Sequence, residues 1–199
     1  MDDSVPETGT IALLDGTTLH YRPIRSSDRE ALQRFHGRHS DVSIYLRFFS
    51  LQRTLGDEQA RYFTEIDGVN RFALVALDPT DPNEIIGVAR FDREPGTDRA
   101  EYAAIVADAW QGHGLGLQLT RRLIEAAQRR GVTVFRAFVL PHNVHMLHLL
   151  RELGLPETMH YEDGVERVDI DLLGDEHHAQ AAQERDGDEG NPPVPATFR

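Results

Sequence analysis

Ala104-Ile105-Val106-Ala107-Asp108-Ala109-Trp110-Gln111-Gly112-His113-Gly114-Leu115-Gly116-Leu117 carries a β-rich run into a turn with three alternating glycines, and a helical pattern follows at once. From Gly114 to Arg130 the apolar set Leu115, Leu119, Leu123, Ile124 and Ala127 lines one face. Gln118, Arg121, Arg122, Glu125 and Arg129 line the other, and Gly131 stands where a helix C-cap belongs. A strand that ends in glycines at a helix start turns backbone N–H groups outward, and the helix dipole adds partial positive charge there. Such a turn can hold a pyrophosphate. Three glycines can also simply make a sharp bend, but each costs conformational entropy that a plain bend does not need three times over. The spacing is Gly-x-Gly-x-Gly, whereas a dinucleotide fingerprint reads Gly-x-Gly-x-x-Gly and wants an acid after the next strand, which here ends at Leu140-Pro141. NAD is disfavoured on that ground. A kinase glycine loop is followed by a strand and needs a Lys, so it is disfavoured too.

Working outward, Arg99 to Val106, the helix and Val132 to Leu140 form one βαβ unit, which the handedness rule makes right-handed and parallel. Before it, Phe72–Leu77, Ile85–Phe91 and Arg99–Val106 are β-rich runs separated by turns, as in an antiparallel meander. Earlier still, Thr10–Leu14 and Thr17–Tyr21 flank Asp15-Gly16, the signature of a tight hairpin. Ser27-Asp28-Arg29-Glu30 reads as a capping box for a helix to about Gly37, and Val42–Leu51 and Asp57–Ile66 read as two further helices. After the βαβ unit come a helix at Asn143–Leu153 and a hairpin over Thr158–Leu172 with Asp163-Gly164 at its tip. The expected architecture is a mixed α/β (α+β) sheet, mostly antiparallel, with one parallel pair. The folded domain is expected over residues 10–174, with a flexible stretch at 1–9 and a disordered acidic tail at 175–199.

Composition narrows the chemistry. The 199 residues carry a net charge of −12. The tail contributes six acids against Arg185 and Arg199, so the body is acidic in its own right. All 21 cationic residues are Arg, and there is no Cys. Without Lys there is no P-loop grip on phosphate and no Schiff base; without Cys there is no thiol nucleophile or Cys zinc site. The lysine gap suits an enzyme that modifies lysines but cannot modify itself, although a genome biased toward Arg codons accounts for it more simply. No apolar stretch reaches the roughly 18–20 residues of a membrane span, and the acidic start is unlike a signal peptide, so a cytoplasmic location is expected. The negative balance opposes nucleic acid and anionic lipid and favours a cationic partner such as an amine.

Gln111-Gly112-His113-Gly114-Leu115-Gly116 resembles the Gln/Arg-x-x-Gly-x-Gly/Ala motif of the GCN5-related N-acetyltransferases (GNAT), and the order of strands and helices resembles that fold from about Thr10 to Leu172. Leu14-Asp15-Gly16 to Arg22-Pro23-Ile24-Arg25 and Tyr45-Leu46-Arg47-Phe48-Phe49 look more specifically like the acetyltransferase domain of bacterial protein acetyltransferases. In some of those a cyclic-nucleotide-binding or acyl-CoA-synthetase-like domain is joined to it, for which these 199 residues leave no room.

The resemblance implies acetyl-CoA as acyl donor, bound where two parallel strands part. Main-chain groups at Ile105 and Val106 would meet the pantetheine arm, and amides of Gln111, Gly112, His113, Gly114, Leu115, Gly116 and Leu117 would hold the pyrophosphate. Asn143 would contact the cofactor, although a helix N-cap is an equal reading of that residue. An alkylammonium of pKa near 10 must lose a proton before it attacks a thioester, so a base is wanted. Glu101 is the candidate: it lies ten residues before Gln111, where relatives that use a Glu on this strand carry it. Strand alternation puts Glu101, Ala103 and Ile105 on one face. An N–H near Val106 would meet the oxyanion. Where many relatives place a Tyr as general acid, seven residues after the Asn, this chain has Leu150, leaving water or His148 for that task.

His142, His145 and His148 recur every third residue, but no carboxylate-bearing metal motif accompanies them and no metal is expected. Trp110 reads as a core or hinge aromatic, and no Gly-x-Ser-x-Gly elbow is present. The expected activity is direct transfer of an acetyl group from acetyl-CoA to a primary amine, a protein lysine or a small cationic molecule, by a monomer or homodimer. The alternatives are a non-catalytic acyl-CoA-binding module and an adenine-nucleotide enzyme using the same loop.

Overall fold

A computed structural model describes residues 7–174. The acidic tail and the first six residues lie outside the described residues. Eight strands form one sheet: β1 (Gly9–Ala12), β2 (Thr18–Pro23), β3 (Arg71–Leu77), β4 (Ile85–Arg93), β5 (Arg99–Val106), β6 (Val134–Val139), β7 (Glu157–Glu162) and β8 (Val165–Asp171). The helices are α1 (Arg29–Gly37), α2 (Asp41–Phe48), α3 (Asp57–Thr64), α4 (Leu115–Arg129) and α5 (Val144–Glu152). The strand order is β1-β2-β3-β4-β5-β6-β8-β7, and β5–β6 is its one parallel pair. This is the mixed, mostly antiparallel sheet expected above.

Alternation along the strands sorts two cores. Phe72, Leu74 and Ala76 of β3 and Ala100, Tyr102 and Ala104 of β5 face α4, whose Leu115, Leu119, Leu123 and Ala127 are buried against them. On the other face Ala73, Val75 and Leu77 pack with Leu32 and Phe35 of α1 and Ala60 of α3. Phe72, Phe91, Phe135 and Tyr102 run across the first core with ring centroids 5.4–6.0 Å apart, within the range of favourable aromatic pairing.

Three local readings are corrected. Asp15-Gly16 does not close a two-residue turn: Leu13 N–H donates to Thr17 O at 2.8 Å and Gly16 N–H to Leu13 O at 3.0 Å, which makes a longer loop. Its shape is set by a neighbour, because Leu14 N–H donates to His113 O at 3.3 Å. The box before α1 is not built on Ser27; a 3₁₀ turn at Ser26–Asp28 comes first, and the Asp28 carboxylate accepts from Arg25 N–H at 2.8 Å and from both Arg22 guanidinium nitrogens at 2.7 and 2.8 Å. The helix expected to run to Leu51 stops at Phe48, because Phe49 takes a left-handed conformation with φ 57°. That conformation is uncommon for a bulky residue, and nothing in the composition of the stretch announces it.

The β5–β6 pairing positions the site. It runs from Arg99↔Val134 to Tyr102↔Ala137 and stops there. Beyond that point β5 stays paired with β4 as far as Gly87↔Val106, and β6 with β8 as far as Val139↔Glu166. Each strand is held by its outer neighbour while the two part, so the opening between them is a feature of the sheet itself.

Candidate active site

The opening forms a cleft of about 500 Å³, within the usual range for small-molecule sites. Its walls are residues 101–106 of β5 and 137–139 of β6, where the pairing ends and the strands part, the glycine turn, the first turn of α4 and one side of α5. The end of the β1–β2 loop (Leu14) and α2 close it from outside.

At the glycine turn Gly112 has φ 77° and Gly114 φ 84°, conformations that L side chains rarely adopt. Gly116 lies inside α4, where a Cβ would stand 2.9 Å from Leu149 Cδ1; its lack of a side chain lets α5 approach. Gly114 is the N-cap of α4, no side chain caps it, and the first turn carries no acid. By contrast Ser40 caps α2 and Asn143 caps α5. The fifteen-residue α4 therefore presents its amides and the positive end of its dipole to the cleft without a resident anion.

The Gln111 side chain braces the turn. Its amide nitrogen donates to Val106 O at 3.0 Å and reaches Ser43 Oγ and Asp108 Oδ1, each at 3.1 Å. Asp108 also accepts from Ser40 N–H at 2.9 Å and Ser43 O–H at 2.5 Å, tying the start of α2 to the loop. Burial would raise the Asp108 carboxyl, but the hydrogen bonds from Ser43 and Ser40 outweigh it and hold the group below the usual carboxylate range. Behind the turn, Tyr102 O–H and Thr120 Oγ1 lie 2.7 Å apart, and Thr120 donates to Gly116 O at 2.7 Å. With the Thr120 proton so used, Tyr102 is the donor of the pair, and β5 is pinned to the first turn of α4. Burial pushes the Tyr102 phenol up to about 12, so it stays protonated.

Glu101 is half-buried on the face of the sheet turned to α1–α3 and lines the cleft. Asp92 of β4 and Arg136 of β6 are its register partners, with Arg71 of β3 and Asp169 of β8 beyond them, so five charged residues form a row across five strands. Arg136 is fixed by both Asp169 oxygens at 2.8 and 3.0 Å and by Glu94 at 2.9 Å. The hydrogen bonds and charge of Asp169 raise its proton affinity further against the opposing effect of burial. Arg90 donates to both Asp92 oxygens at 2.9 and 3.0 Å. Above the row, Arg47 of α2 reaches into the cleft with its guanidinium over the Phe48 ring at 4.9 Å. Burial lowers the Arg47 guanidinium to about 10, reinforced by Arg90 and opposed by Glu101 and Asp92, so it remains a cation at neutral pH.

Of the residues picked out from the sequence, Glu101, Ile105, Val106, Gln111, Gly112, Gly114, Leu115, Gly116, Leu117 and Asn143 all line this cleft. His113 is the exception: its ring nitrogen Nδ1 is 2.8 Å from Gln111 O, and the side chain is not part of the wall. Asn143 is buried and caps α5, its Oδ1 accepting from Met146 N–H at 3.2 Å. Leu150 is buried in the main core. His148 lines the cleft, largely exposed, with Nε2 3.4 Å from Glu152. Ser43, Leu46, Arg47 and Phe49 line it as well and were not picked out for chemistry. Among the described residues no group of three or more His, Cys, Asp or Glu could hold a metal ion, and no helix is long and apolar enough to cross a membrane.

Comparison with known proteins gives the family of this mixed sheet, whose single parallel pair splays beside an uncapped, glycine-led helix. The family model described as the acetyltransferase (GNAT) domain matches residues 18–156. The chain belongs to the GNAT acetyltransferase family. It is 31% identical over 121 residues to an acetyltransferase of Pseudomonas aeruginosa, covering 60% of this chain and 65% of that protein. It is 33% identical over 144 residues to the acetyltransferase Pat of Mycolicibacterium smegmatis, covering 70% of this chain and 41% of that one. The chain thus spans less than two thirds of either relative. The crystal structure of the GNAT domain of S. lividans PAT superposes with a TM-score of 0.78 at 34% identity, over 84% of this chain and 99% of that one.

Proposed function

We propose that this chain transfers the acetyl group of acetyl-CoA directly to a primary amine, a protein lysine or a small cationic molecule, with Glu101 as the base. The observation that carries the reading is the meeting of two features in one cleft: the unpaired stretch of β5 and the uncapped N-terminus of α4. An uncapped helix start suits a pyrophosphate, and the free strand edge offers main-chain groups to a pantetheine arm in the manner of an added strand. Gly112, Gly114 and the amides of α4 receive the diphosphate; Ile105 and Val106 receive the arm; Asn143 borders the same space.

The thioester end then lies toward Glu101. The carboxylates of Asp92, Glu101, Glu94 and Asp169 are matched in number by the guanidinium groups of Arg71, Arg90, Arg136 and Arg47 around it, so the preference for an ammonium acceptor rests on Glu101 as base and on the net charge of −12. Glu101, directly or through one water, takes a proton from the ammonium. The amine nitrogen attacks the thioester carbonyl, and a β5 N–H near Val106 stabilises the oxyanion. Collapse breaks the C–S bond and releases the CoA thiolate, which takes a proton from water or from His148, while the surplus proton on the acylated nitrogen passes to solvent to leave the neutral amide. Because Leu150 is buried where a Tyr acid would otherwise stand, no phenol meets the leaving group at that position.

That same Leu150 favours a second reading, a module that binds acyl-CoA without turning it over. A melting-temperature screen with acetyl-CoA, propionyl-CoA, succinyl-CoA, NAD and ATP, followed by assays on amine panels, separates the readings. CoA esters are expected to stabilise the chain while NAD and ATP do not. Glu101→Gln is expected to keep that stabilisation and lose about 10²- to 10⁴-fold in rate. Undiminished turnover in Glu101→Gln removes the base assignment. Binding by the wild type with no amine acetylated selects the binding module, and stabilisation by NAD or ATP in place of CoA overturns both.

A further inference from the structure

The cleft is not the only cavity on the Glu101 face. A second one, of about 40 Å³, lies between β4–β5 and α1–α3; Leu32, Phe35, Phe63 and Val88 give it a mostly apolar lining, to which His36 and Arg90 add polar groups. The two cavities share three wall residues, Arg47, Ala103 and Ile105. Ala103 and Ile105 are on β5, on the same face as Glu101, so the shared wall stands at the reactive end of the cleft, away from the glycine turn. Ala103 contributes only a methyl group to it, and the bulk of the partition is the Arg47 side chain. Arg47 is half-buried, and Leu would fill this space better on packing alone. At this position Arg47 puts a cation across the mouth of a mostly apolar hole, whose wall also carries Arg90 and His36.

From this geometry we infer that Arg47 is a specificity-determining residue that limits the donor to short acyl chains. The inference rests on the acyl-CoA reading above and adds the acyl class to it. A two-carbon acyl group ends before the partition. A longer chain must press its methylenes against the guanidinium or displace it, and only then does the apolar cavity become available. Removing the Arg47 side chain joins the two spaces.

The test is calorimetric binding of free CoA, acetyl-CoA and hexanoyl-CoA to the full chain, the Arg47→Ala variant and the Arg47→Ala/Val88→Phe double variant. The wild type is expected to bind hexanoyl-CoA no more tightly than acetyl-CoA. In Arg47→Ala the ratio should shift toward hexanoyl-CoA by about fourfold for each methylene that enters the joined cavity. Filling the far side with Val88→Phe should reverse the shift. If Arg47→Ala does not fold, Arg47→Val, which keeps a short apolar stem against Phe48 and removes the guanidinium and most of the bulk of the partition, gives the same comparison. An unchanged hexanoyl-to-acetyl ratio in a folded Arg47 variant that still binds CoA overturns the inference and leaves the acyl-CoA reading standing. Failure of the wild type to bind free CoA overturns that reading and the inference with it.

Discussion

The three glycines of the turn are absent of side chains for different reasons, and alanine substitutions should separate them. At Gly112 a Cβ meets nothing within 4 Å, so the cost of Gly112→Ala is the left-handed backbone alone, about 1–2 kcal/mol. At Gly114 the same strain applies, and a Cβ would also stand 3.3 Å from Leu14 Cγ. Leu14 can give because it is 84% exposed, but its backbone is bound to His113, so Gly114→Ala should cost somewhat more, about 1–3 kcal/mol. Gly116 has no left-handed φ. Gly116→Ala gains about 1 kcal/mol of helix propensity, which offsets crowding against the end of the flexible Leu149 side chain, and the net should lie within about 1 kcal/mol of zero. For a chain of this size each kcal/mol moves Tm by roughly 2–4 °C, so the series is resolvable by thermal denaturation. Gly112→Asn supplies an internal control, since Asn tolerates the left-handed region and should recover part of the loss. Acetyl-CoA affinity should fall for Ala at 112 and 114, where the turn changes shape. The reasoning is refuted if Gly116→Ala is the most destabilised of the three, or if Gly112→Asn costs as much as Gly112→Ala.

Two further outcomes follow from the same geometry. Asp108→Ala removes the acceptor shared by Ser40, Ser43 and Gln111, so it should cost about 1–2 kcal/mol by chemical denaturation and weaken acetyl-CoA binding through the loosened turn; unchanged affinity would show that the brace does not reach the site. Burial lowers the His36 imidazole below its ordinary value of about 6.5, with His39 adding to the effect and the Gln52 carbonyl opposing it. The folded chain then binds fewer protons at this group than the unfolded one, so its stabilising contribution is complete above that value and is lost as pH falls from about 6.5 toward the folded pKa. In a Tm-against-pH series, His36→Gln should flatten the slope in that window, and an identical slope in the two proteins would discount His36 as its source.

The parts of the fold legible in the sequence are those governed by local rules. α4 was readable because fifteen residues hold one apolar face, and Gly131, with φ 73°, sits where the helix must end. The β7–β8 hairpin was readable because Asp163 and Gly164 both take positive φ, as the turn between two directly joined strands requires. The first misreading comes from a partner distant along the chain, the second from local partners that compete with the capping pattern. Asp15-Gly16 has the right chemistry for a tight turn, yet its loop is shaped by His113, about a hundred residues away. Asp28 follows Ser27 in a capping pattern, but its carboxylate is claimed by Arg22 and Arg25.

The same distinction divides the site. The proposed donor side is built from a strand end, a glycine turn and a helix start that are contiguous in sequence, so spacing and resemblance are enough to point to them. The proposed acceptor side is assembled from α2, β3, β4, β5, β6 and β8, and what organises it is cross-strand register: Arg71, Asp92, Glu101, Arg136 and Asp169 become neighbours only when five strands align. Strand alternation could place Glu101 on the correct face, but it could not supply that row or the guanidinium above it. Ser43 and Gln111, 68 residues apart, show the same limit. An amine-modifying enzyme can keep its donor machinery local, since the diphosphate and pantetheine never change. The residues that choose acceptor and acyl length come from separate elements, where each can be altered without disturbing the turn. Specificity in this fold is therefore expected to reside at positions such as Arg47, whose role follows from what it separates and not from any motif around it.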